Sequence, residues 1–495
     1  MKRTLTFVLV FGLILNLLAF GPMAIAEDEE LPEITWLCAA SSNTPEDNNL
    51  VLQEFSARLG IRVNIVMANE YDTKLTALIA SHNLPDLFSV SAADGKQLVE
   101  EGMILPLDDL LEEYGPHILA EVGERLGTNE VNNEYGKTYQ IFTNYQNPVC
   151  NFTFRVDWLK KLDMELPTNL DELYDVLYAF TYNDPDGNGA DDTVGTVLTL
   201  DDTRPWEPIF GAYGIAYDAS TLLADGTVTT YMKDPHYLEC VEYLRKLYQD
   251  GLIDPEFATM PQMTAFEALW TGRCGAFGFQ SLGTTNNWYP GRYTFECPAD
   301  PAEVFGFALL TGPYGDSGEP MRYSNPNGGY VVSAACKNPE AVIKFLDYMF
   351  SEEGDELTYL GVEGVMWEWV DEANGKYQRL PGYEDDAAHR AAGGFVYNIH
   401  APAMNTELKL LNKLTQEGQK MDRENAFAWP FIASTFEAET EYGTTLKQIT
   451  KEALAQLIVT TGDVEAEYAE FVAKWENEGG LAWEEQATEL YNKFN

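Results

Sequence analysis

The sequence has few basic residues and, beyond its N-terminus, no long apolar run. Its 31 Lys and Arg residues stand against 79 Asp and Glu residues, which gives a formal net charge of −48. A surface this negative repels phosphate backbones and anionic lipid headgroups, so nucleic acid and membrane surfaces are not expected as partners. Neutral or cationic small molecules fit this charge better. The hydrophobic content of 45% and aromatic content of 13% exclude a disordered acidic chain.

Motifs of catalysis and of metal-binding cysteines are also missing. The six cysteines include no Cys-x-x-Cys pair, the five histidines form no His-Glu-x-x-His helix, and no Gly-x-Ser-x-Gly elbow is present. Residues 136–138 (Gly-Lys-Thr) resemble the end of a phosphate loop, but Val131 stands where its first glycine is required. We therefore expect that the protein is not an enzyme and that most of its cysteines are buried free thiols. The alternative that remains open at this point is a glycosidase with a pair of catalytic carboxylates.

The N-terminus has the pattern of a secretory signal over residues 1–26. Two basic residues precede an apolar run over residues 5–20, and Ala-Ile-Ala at 24–26 supplies the small residues that a signal peptidase recognises. Cleavage removes Lys2 and Arg3 and leaves an acidic mature chain with a charge of about −50. The alternative is an uncleaved anchor helix, because the apolar run approaches the shortest spanning length. The sequence therefore predicts an exported protein.

Short β-type runs alternate with amphipathic helices in the rest of the chain, which predicts an α/β architecture with two or three domain-sized cores. Strands are expected at 34–38, 62–66, 87–90, 194–200 and 275–279, and helices near 49–59, 71–81, 167–180, 237–248 and 342–349. Thr168 is expected to cap the third helix, with Asp171 three residues later. The apolar stripes of these helices are predicted core faces.

Residues 183–192 (Asn-Asp-Pro-Asp-Gly-Asn-Gly-Ala-Asp-Asp) form the one sharp chemical motif. Calcium prefers oxygen ligands at alternate loop positions, with a glycine at the sharp turn, here Gly189. The predicted ligands of a structural Ca²⁺ are Asp184, Asp186, Asn188, the backbone carbonyl of Ala190, and Asp192. Gly195 replaces the usual glutamate at the last position, so Asp191, water or a distant side chain would have to complete the shell. The alternative is an ion-free turn, which the same residue types favour.

Several segments resemble the extracellular solute-binding proteins of family 1. Residues 154–162 (Phe-Arg-Val-Asp-Trp-Leu-Lys-Lys-Leu), followed by Pro167 and the Asp-Pro-Asp-Gly-Asn-Gly loop, are similar to the larger LplA-like and alginate-binding-like branch. The other matching stretches, in order, are 71–75 with 84–86, 101–107, 332–341 and 361–365. The resemblance covers essentially the whole mature chain.

This resemblance implies an ABC-importer receptor with a two-lobed, type II periplasmic-binding-protein-like α/β fold and three interlobe crossings. The crossings would lie near 143–151, 306–312 and 361–371. The N-terminal lobe would comprise residues 31–147 and 309–365, and the C-terminal lobe residues 148–308 and 366–495. Members of this branch mostly bind oligosaccharides, and some hold calcium in the loop matched by residues 184–192. The implied partners are an oligosaccharide or similar small solute and ABC permease subunits, with the receptor as a monomer.

Candidate ligand-binding residues follow the predicted strands, because loops of such receptors face the cleft there. Aromatic faces meet the C–H faces of a sugar, while amides, hydroxyls and carboxylates bind its hydroxyl groups. The predicted set is Ser41, Ser42, Asn43, Ser89, Ser91, Asp201, Asp202, Trp206, Gln280, Asn286, Asn287, Trp288, Asn327 and Trp367. Core packing is an equal alternative for Trp206 and Trp288, and Ser41 and Asn43 could instead cap the following helix.

Glu27 stands where Gram-positive members of the family carry a lipid-modified cysteine. Retention near a transporter could therefore depend on a periplasm, an uncleaved anchor or simple diffusion. Two other functions remain open at this point. A peptide or other small solute would be favoured by a cleft with few aromatics, whereas a carbohydrate-degrading enzyme needs two carboxylates about 5–10 Å apart across a groove.

Overall fold

The computed structural model describes residues 31–39, 45–142, 151–279, 293–298, 300–318, 328–372, 376–397, 406, 409–410, 412–427, 429–430 and 436–494. The predicted signal at residues 1–26 lies outside these ranges. The strands are β1 (Glu33–Ala39), β2 (Arg62–Ala68), β3 (Leu87–Ser91), β4 (Asn151–Arg155), β5 (Val194–Thr196), β6 (Ser220–Leu222), β7 (Val228–Thr230), β8 (Cys274–Phe279), β9 (Phe305–Ala308), β10 (Gly328–Val332), β11 (Trp367–Asp371) and β12 (Lys376–Arg379).

The helices are α1 (Leu50–Leu59), α2 (Tyr71–Ala80), α3 (Ala92–Glu100), α4 (Asp108–Tyr114), α5 (Pro116–Val122), α6 (Glu130–Tyr135), α7 (Val156–Lys161), α8 (Leu170–Tyr182), α9 (Glu207–Ala212), α10 (Tyr237–Gln249), α11 (Gln262–Trp270), α12 (Pro339–Met349), α13 (Glu352–Leu360), α14 (Asp386–Ala391), α15 (Lys413–Asn425), α16 (Glu437–Val459), α17 (Val464–Trp475) and α18 (Leu481–Phe494). In the described part of the chain, no helix is both long and apolar enough to cross a bilayer.

The first lobe is built on a four-stranded sheet in the order β10-β3-β1-β2. Strand β1 runs parallel to β2 and β3, and β10 is antiparallel to β3. On one face Trp36 packs edge-to-face against Phe345 of α12, with ring centroids 5.6 Å apart. On the other face Leu37 packs with Phe88 in a separate core cluster. Both faces are thus buried, as is usual for parallel strands, and this explains why these runs are so apolar.

The second lobe contains a four-stranded sheet in the order β5-β8-β4-β9. Strand β4 is antiparallel to both of its neighbours, and β5 is parallel to β8. Helices α8, α10 and α16 supply much of the core, including Phe180, Leu244 and Leu454. The strand predicted over 194–200 is shorter, because only residues 194–196 pair in the sheet. Two small antiparallel hairpins, β6–β7 and β11–β12, complete the described strands.

Helix α8 confirms the predicted apolar stripe, with Leu173, Leu177 and Phe180 buried. Its cap differs from the prediction by one residue. The side chain of Asn169 accepts a hydrogen bond from the backbone N–H of Glu172 at 2.9 Å. Thr168 instead donates its hydroxyl to the Glu172 carboxylate at 2.8 Å. A cap satisfies free N–H groups of the first turn, and both neighbouring residue types can supply it.

The chain passes between the two cores at three places. Phe142 belongs to the first core and Phe152 to the second, so the chain passes from one core to the other between them, and the predicted crossing near 143–151 lies almost entirely outside the described residues. The second crossing lies later than 306–312, because Leu310 is in the second core and Thr311 N–H donates to Thr168 O at 2.9 Å. Gly318 still abuts the backbone of Asn425 in the second lobe. The predicted lobe boundary at 308/309 therefore moves beyond residue 318.

The third crossing also lies later than predicted. Trp367, Tyr397 and Leu410 pack in or against the first core, whereas Leu414 packs against the second lobe. The crossing therefore falls between residues 410 and 414 and not at 361–371. Residues 366–397, which were predicted in the C-terminal lobe, contribute to the first one. The shift has a clear physical cause, since β11 and the indole of Trp367 bury apolar surface against the first core.

The described cysteines agree with the expectation of free thiols. Cys38, Cys240, Cys274, Cys297 and Cys336 are all unpaired, and Cys240 and Cys274 are fully buried. Burial raises the pKa of the Cys274 thiol to about 12. A thiol held protonated in this way is a poor nucleophile, so it acts as a small apolar core residue.

Candidate ligand-binding site

Strand ends from the sheets of both lobes lie beside the places where the chain passes from one lobe to the other. In the first lobe Ser91, the last residue of β3, pairs with Gly328, where the chain returns from the second lobe. In the second lobe Asn151, the first residue of β4, pairs with Phe279 at the end of β8. The end of β9 lies beside them, since Ala308 pairs with Phe152. Two-lobed binding proteins hold their ligands between the lobes, next to strand ends of this kind.

Ser89 and Ser91, which were predicted to bind ligand, lie at the end of β3 in the first lobe. Each is hydrogen-bonded to other residues of that lobe. The Ser91 hydroxyl accepts from Asp94 N–H at 3.1 Å and caps α3. Ser89 N–H donates to the Tyr71 hydroxyl at 2.8 Å, and that hydroxyl donates to Ser89 O at 2.9 Å. Burial raises the pKa of Tyr71. These bonds fix the turn after β3, and Ser91 keeps an exposed side chain.

Asp201 and Asp202 differ in exposure although they are adjacent. Asp201 is exposed, whereas the Asp202 carboxylate is buried and accepts from Arg204 Nη2 at 2.6 Å and from Gln262 Nε2 at 2.9 Å. Burial alone would raise the pKa of Asp202, but the hydrogen bonds from Arg204 and Gln262 outweigh it and lower that pKa. Asp202 therefore braces the loop before α9, and Asp201 is the one of the pair that remains accessible.

Two of the three predicted tryptophans, Trp206 and Trp367, are core residues, which corrects their assignment to a sugar-facing surface. Trp206 is 0% exposed, and its Nε1 donates to Thr199 O at 2.7 Å. Trp367 is 0% exposed, and its Nε1 donates to Gly361 O at 2.9 Å. With both ring faces packed by protein and the one polar atom satisfied, neither indole offers a surface to a ligand.

The other predicted ligand residues lie outside the described residues. They are Ser41, Ser42, Asn43, Gln280, Asn286, Asn287, Trp288 and Asn327. Their assignment to the ligand site stays a prediction.

A polar pocket at the second-lobe edge was missed by sequence reasoning. It is lined by Asn151, Pro208, Ala308, Leu309, Leu310, Gly318 and Asp422. Asn151 Nδ2 donates to Asp422 Oδ2 at 3.3 Å, although the two residues are far apart in sequence. One signal was available in the sequence. Helix α15 has a polar buried face, including Gln419 and Asp422, where a purely structural helix would carry an apolar stripe.

The predicted calcium loop joins α8 to β5, and N–H groups of the loop donate hydrogen bonds to its own carboxylates. Asp184 accepts from Gly187 N–H at 3.1 Å and from Gly189 N–H at 3.1 Å. Asn188 Nδ2 lies 2.7 Å from an Asp186 oxygen and 3.2 Å from both oxygens of Asp192. Among the described residues, no group of three or more His, Cys, Asp or Glu side chains is arranged as a metal site. The oxygen-rich donor set of the loop nevertheless suits a hard cation.

Comparisons with known proteins agree with this architecture. The sequence profile of the bacterial extracellular solute-binding proteins matches residues 40–356. Lipoprotein LipO of Bacillus subtilis is 26% identical over 481 residues, which cover 91% of this chain and 90% of LipO. The fructooligosaccharide ABC transporter substrate-binding protein FusA of Streptococcus pneumoniae is 25% identical over 400 residues, which cover 76% of this chain and 69% of FusA.

Solved structures share the fold. FusA in complex with kestose aligns with a TM-score of 0.58 at 20% identity, over 93% of this chain and 99% of FusA. A FusA EF-hand mutant in complex with fructo-nystose gives 0.57 at 19% identity over the same shares, 93% and 99%. An HMO-binding solute-binding protein of Bifidobacterium longum infantis gives 0.68 at 16% identity, over 94% of this chain and 99% of the other. The predicted two-lobed α/β fold is thus confirmed. The chain belongs to the bacterial extracellular solute-binding proteins, a family of receptors and not of enzymes.

Proposed function

We propose that this protein is the exported receptor of an ABC importer, and that it captures an oligosaccharide between its lobes and delivers it to membrane permease subunits. The observation that carries the proposal is the placement of strand ends from both sheets at the crossings, in a chain of the solute-binding family. The relatives support the ligand class, since FusA is a fructooligosaccharide-binding protein. Ligand contacts made only in the closed form would then shift the lobes towards closure.

A neutral sugar fits this chain better than an anionic one. The formal net charge of −48 creates a negative potential that opposes the approach of uronates and phosphates. A neutral oligosaccharide is unaffected by that potential, because it is recognised through hydrogen bonds and C–H contacts. The described part of the second-lobe edge agrees, since its pocket combines an amide and a carboxylate with apolar side chains.

Purified mature protein is expected to be stabilised by a neutral oligosaccharide and not by an acidic one. The measurement is thermal unfolding with kestose, maltotriose, trigalacturonate or a tripeptide, because a ligand that binds only the folded state raises the melting temperature. At about a hundredfold excess over Kd the expected increase is roughly 3 °C. Trigalacturonate as the only active sugar would contradict the neutral ligand. Stabilisation by a tripeptide and by no sugar would favour the peptide receptor.

We also propose that the loop formed by Asp184, Asp186, Asn188, Ala190 and Asp192 binds a structural Ca²⁺. Three positive-φ residues wind it tightly, namely Asp184, Gly187 and Gly189. The amide of Asn188 now bridges the carboxylates of Asp186 and Asp192, and a cation would balance the charge of the same two groups. FusA, for which an EF-hand mutant was prepared, gives independent support from a relative. The ion would pin the turn between α8 and β5 and take no part in ligand chemistry.

Calcium is expected to raise the melting temperature, and a chelator is expected to reverse the effect. Asp186→Asn should weaken calcium binding by roughly tenfold or more, because affinity in such loops depends on the number of charged ligands. Isothermal titration with CaCl₂ measures this directly. Asp225→Asn in the β6–β7 turn is the matched control, since it removes a carboxylate from another exposed Asp-Gly turn. Equal melting curves with and without chelator would contradict calcium binding and favour the alternative of an ion-free turn.

A further inference from the structure

The pocket defined above contains a buried polar atom that no described residue satisfies. Asn151 is 3% exposed, and its Oδ1 has no hydrogen-bond partner in the described part of the chain. Its Nδ2 is already used, because it donates to Asp422 Oδ2 at 3.3 Å. A buried carbonyl oxygen without a partner costs about 1–3 kcal/mol, so such an atom in a pocket is a natural place for a bound donor.

The second polar group of the pocket is the Asp422 carboxylate. It is 4% exposed and projects from the inner face of α15. Gln419 lies three residues earlier, on the same face of the helix. It is 1% exposed, and neither the oxygen nor the nitrogen of its amide has a partner among the residues that the structure describes. The inner face of α15 therefore carries two buried hydrogen-bonding side chains, of which Asp422 contacts Asn151 at the second-lobe edge.

The rest of the pocket is apolar and narrow. Ala308, Leu309, Leu310 and Pro208 line it beside the two polar side chains. Its free space suits a group of about the size of one water molecule. A lining that combines two acceptors, Asn151 Oδ1 and the Asp422 carboxylate, with aliphatic carbon matches a hydroxyl on a C–H framework. A cation fits less well, because the Asn151 amide already presents its N–H to the carboxylate.

We propose that Asn151 and Asp422 form a hydroxyl-recognition subsite, which seats one hydroxyl group of the oligosaccharide while the remaining sugar lies in the cleft. This inference rests on the proposed receptor function. The hydroxyl donates to Asp422 or to Asn151 Oδ1, and Leu309 and Pro208 contact the adjoining C–H groups. The subsite thus selects a neutral sugar end that reaches α15, a helix on the second-lobe side of the third crossing.

The test uses the full mature protein and whichever of the neutral sugars kestose and maltotriose stabilises the wild type more. Asp422→Asn keeps the size of the side chain but removes the charged acceptor, so we expect Kd to rise about tenfold to a hundredfold in isothermal titration. Asn151→Leu, which removes the unpaired carbonyl, should weaken binding at least about fivefold. Glu417→Gln on the exposed outer face of the same helix is the control and should leave Kd unchanged.

The outcomes separate this inference from the proposed function. Wild-type binding that both variants retain, with a lower melting temperature, would mean that the pocket holds only internal water, and would overturn the subsite alone. No sugar binding by the wild type would overturn the receptor proposal and the subsite with it. If Asp422→Asn does not fold, as judged by circular dichroism, the Kd of Asn151→Leu decides, and an unchanged value overturns the subsite.

Discussion

Trp206→Ala is expected to lower the free energy of unfolding by about 3–5 kcal/mol, because a fully buried indole is replaced by a cavity. The ring stacks on Tyr217 with centroids 5.7 Å apart and meets Phe257 edge-on at 5.9 Å. The substitution also removes the hydrogen bond from Nε1 to Thr199 O. Urea or thermal unfolding measures the loss, which should appear equally with and without sugar.

Tyr178→Ala is the matched control for Trp206. Tyr178 is a large aromatic residue of the same lobe, but it is 47% exposed on α8. Its removal should cost less than about 1 kcal/mol, as for most surface substitutions. A Trp206→Ala protein with an unchanged melting temperature and a weakened sugar affinity would contradict the core assignment and restore Trp206 to the ligand surface.

Asp355→Asn is expected to stabilise the protein at neutral pH. Asp355 is 1% exposed in α13 and accepts from Thr406 N–H at 2.9 Å. Burial raises the pKa of this carboxyl from 3.8 to about 6, although the bond from Thr406 and the charge of Lys409 act in the opposite direction. This difference in pKa means that the folded protein favours the protonated over the ionised carboxyl by about 3 kcal/mol more than the unfolded chain does. Asparagine imitates the protonated form and can still accept the bond from Thr406.

The pH dependence has a definite sign. Because the folded pKa of Asp355 is raised, its stabilising contribution is fully present below about pH 4 and is lost as pH rises through about 6. Wild type and Asp355→Asn should therefore be equally stable near pH 4, and the variant should gain about 2–3 kcal/mol by pH 7. Urea unfolding of both proteins at several pH values measures this difference. The same substitution at exposed Asp109 is the control and should change the free energy of unfolding by no more than about 0.5 kcal/mol.

Local patterns predicted the elements well and the tertiary environment poorly. The stripe of α8 and the strands β1, β2 and β3 follow from periodicity, because burial of one face is a property of a short segment. Trp206 follows Pro205 and a polar run, and this pattern favoured a loop. Its burial could not be predicted, because the residues that surround it come from segments distant in the sequence. The predicted return to the C-terminal lobe at residue 366 was wrong for the same reason, since β11 packs by tertiary contact.

The candidate site was even harder to predict from the sequence than the burial of single residues. Asn151 and Asp422 are separated by 271 positions in the chain, so no spacing motif connects them. Calcium-type loops are different, because all their ligands lie within one short segment. The sequence therefore predicts residues 184–192 as a unit, whereas the Asn151–Asp422 pair becomes visible only when the three crossings have placed α15 against β4.

The three crossings also determine the order in which the lobes can fold. The second core unites Phe152 with Leu446 and Trp475, so its earliest strand waits for helices synthesised about three hundred residues later. Contacts of such long sequence separation form slowly, and a partly completed core exposes apolar surface. A chain that emerges N-terminus first would expose β4 and α8 until α16 arrives. A chain interrupted after residue 410 but before α16 would therefore carry a complete first lobe attached to an aggregation-prone part of the second.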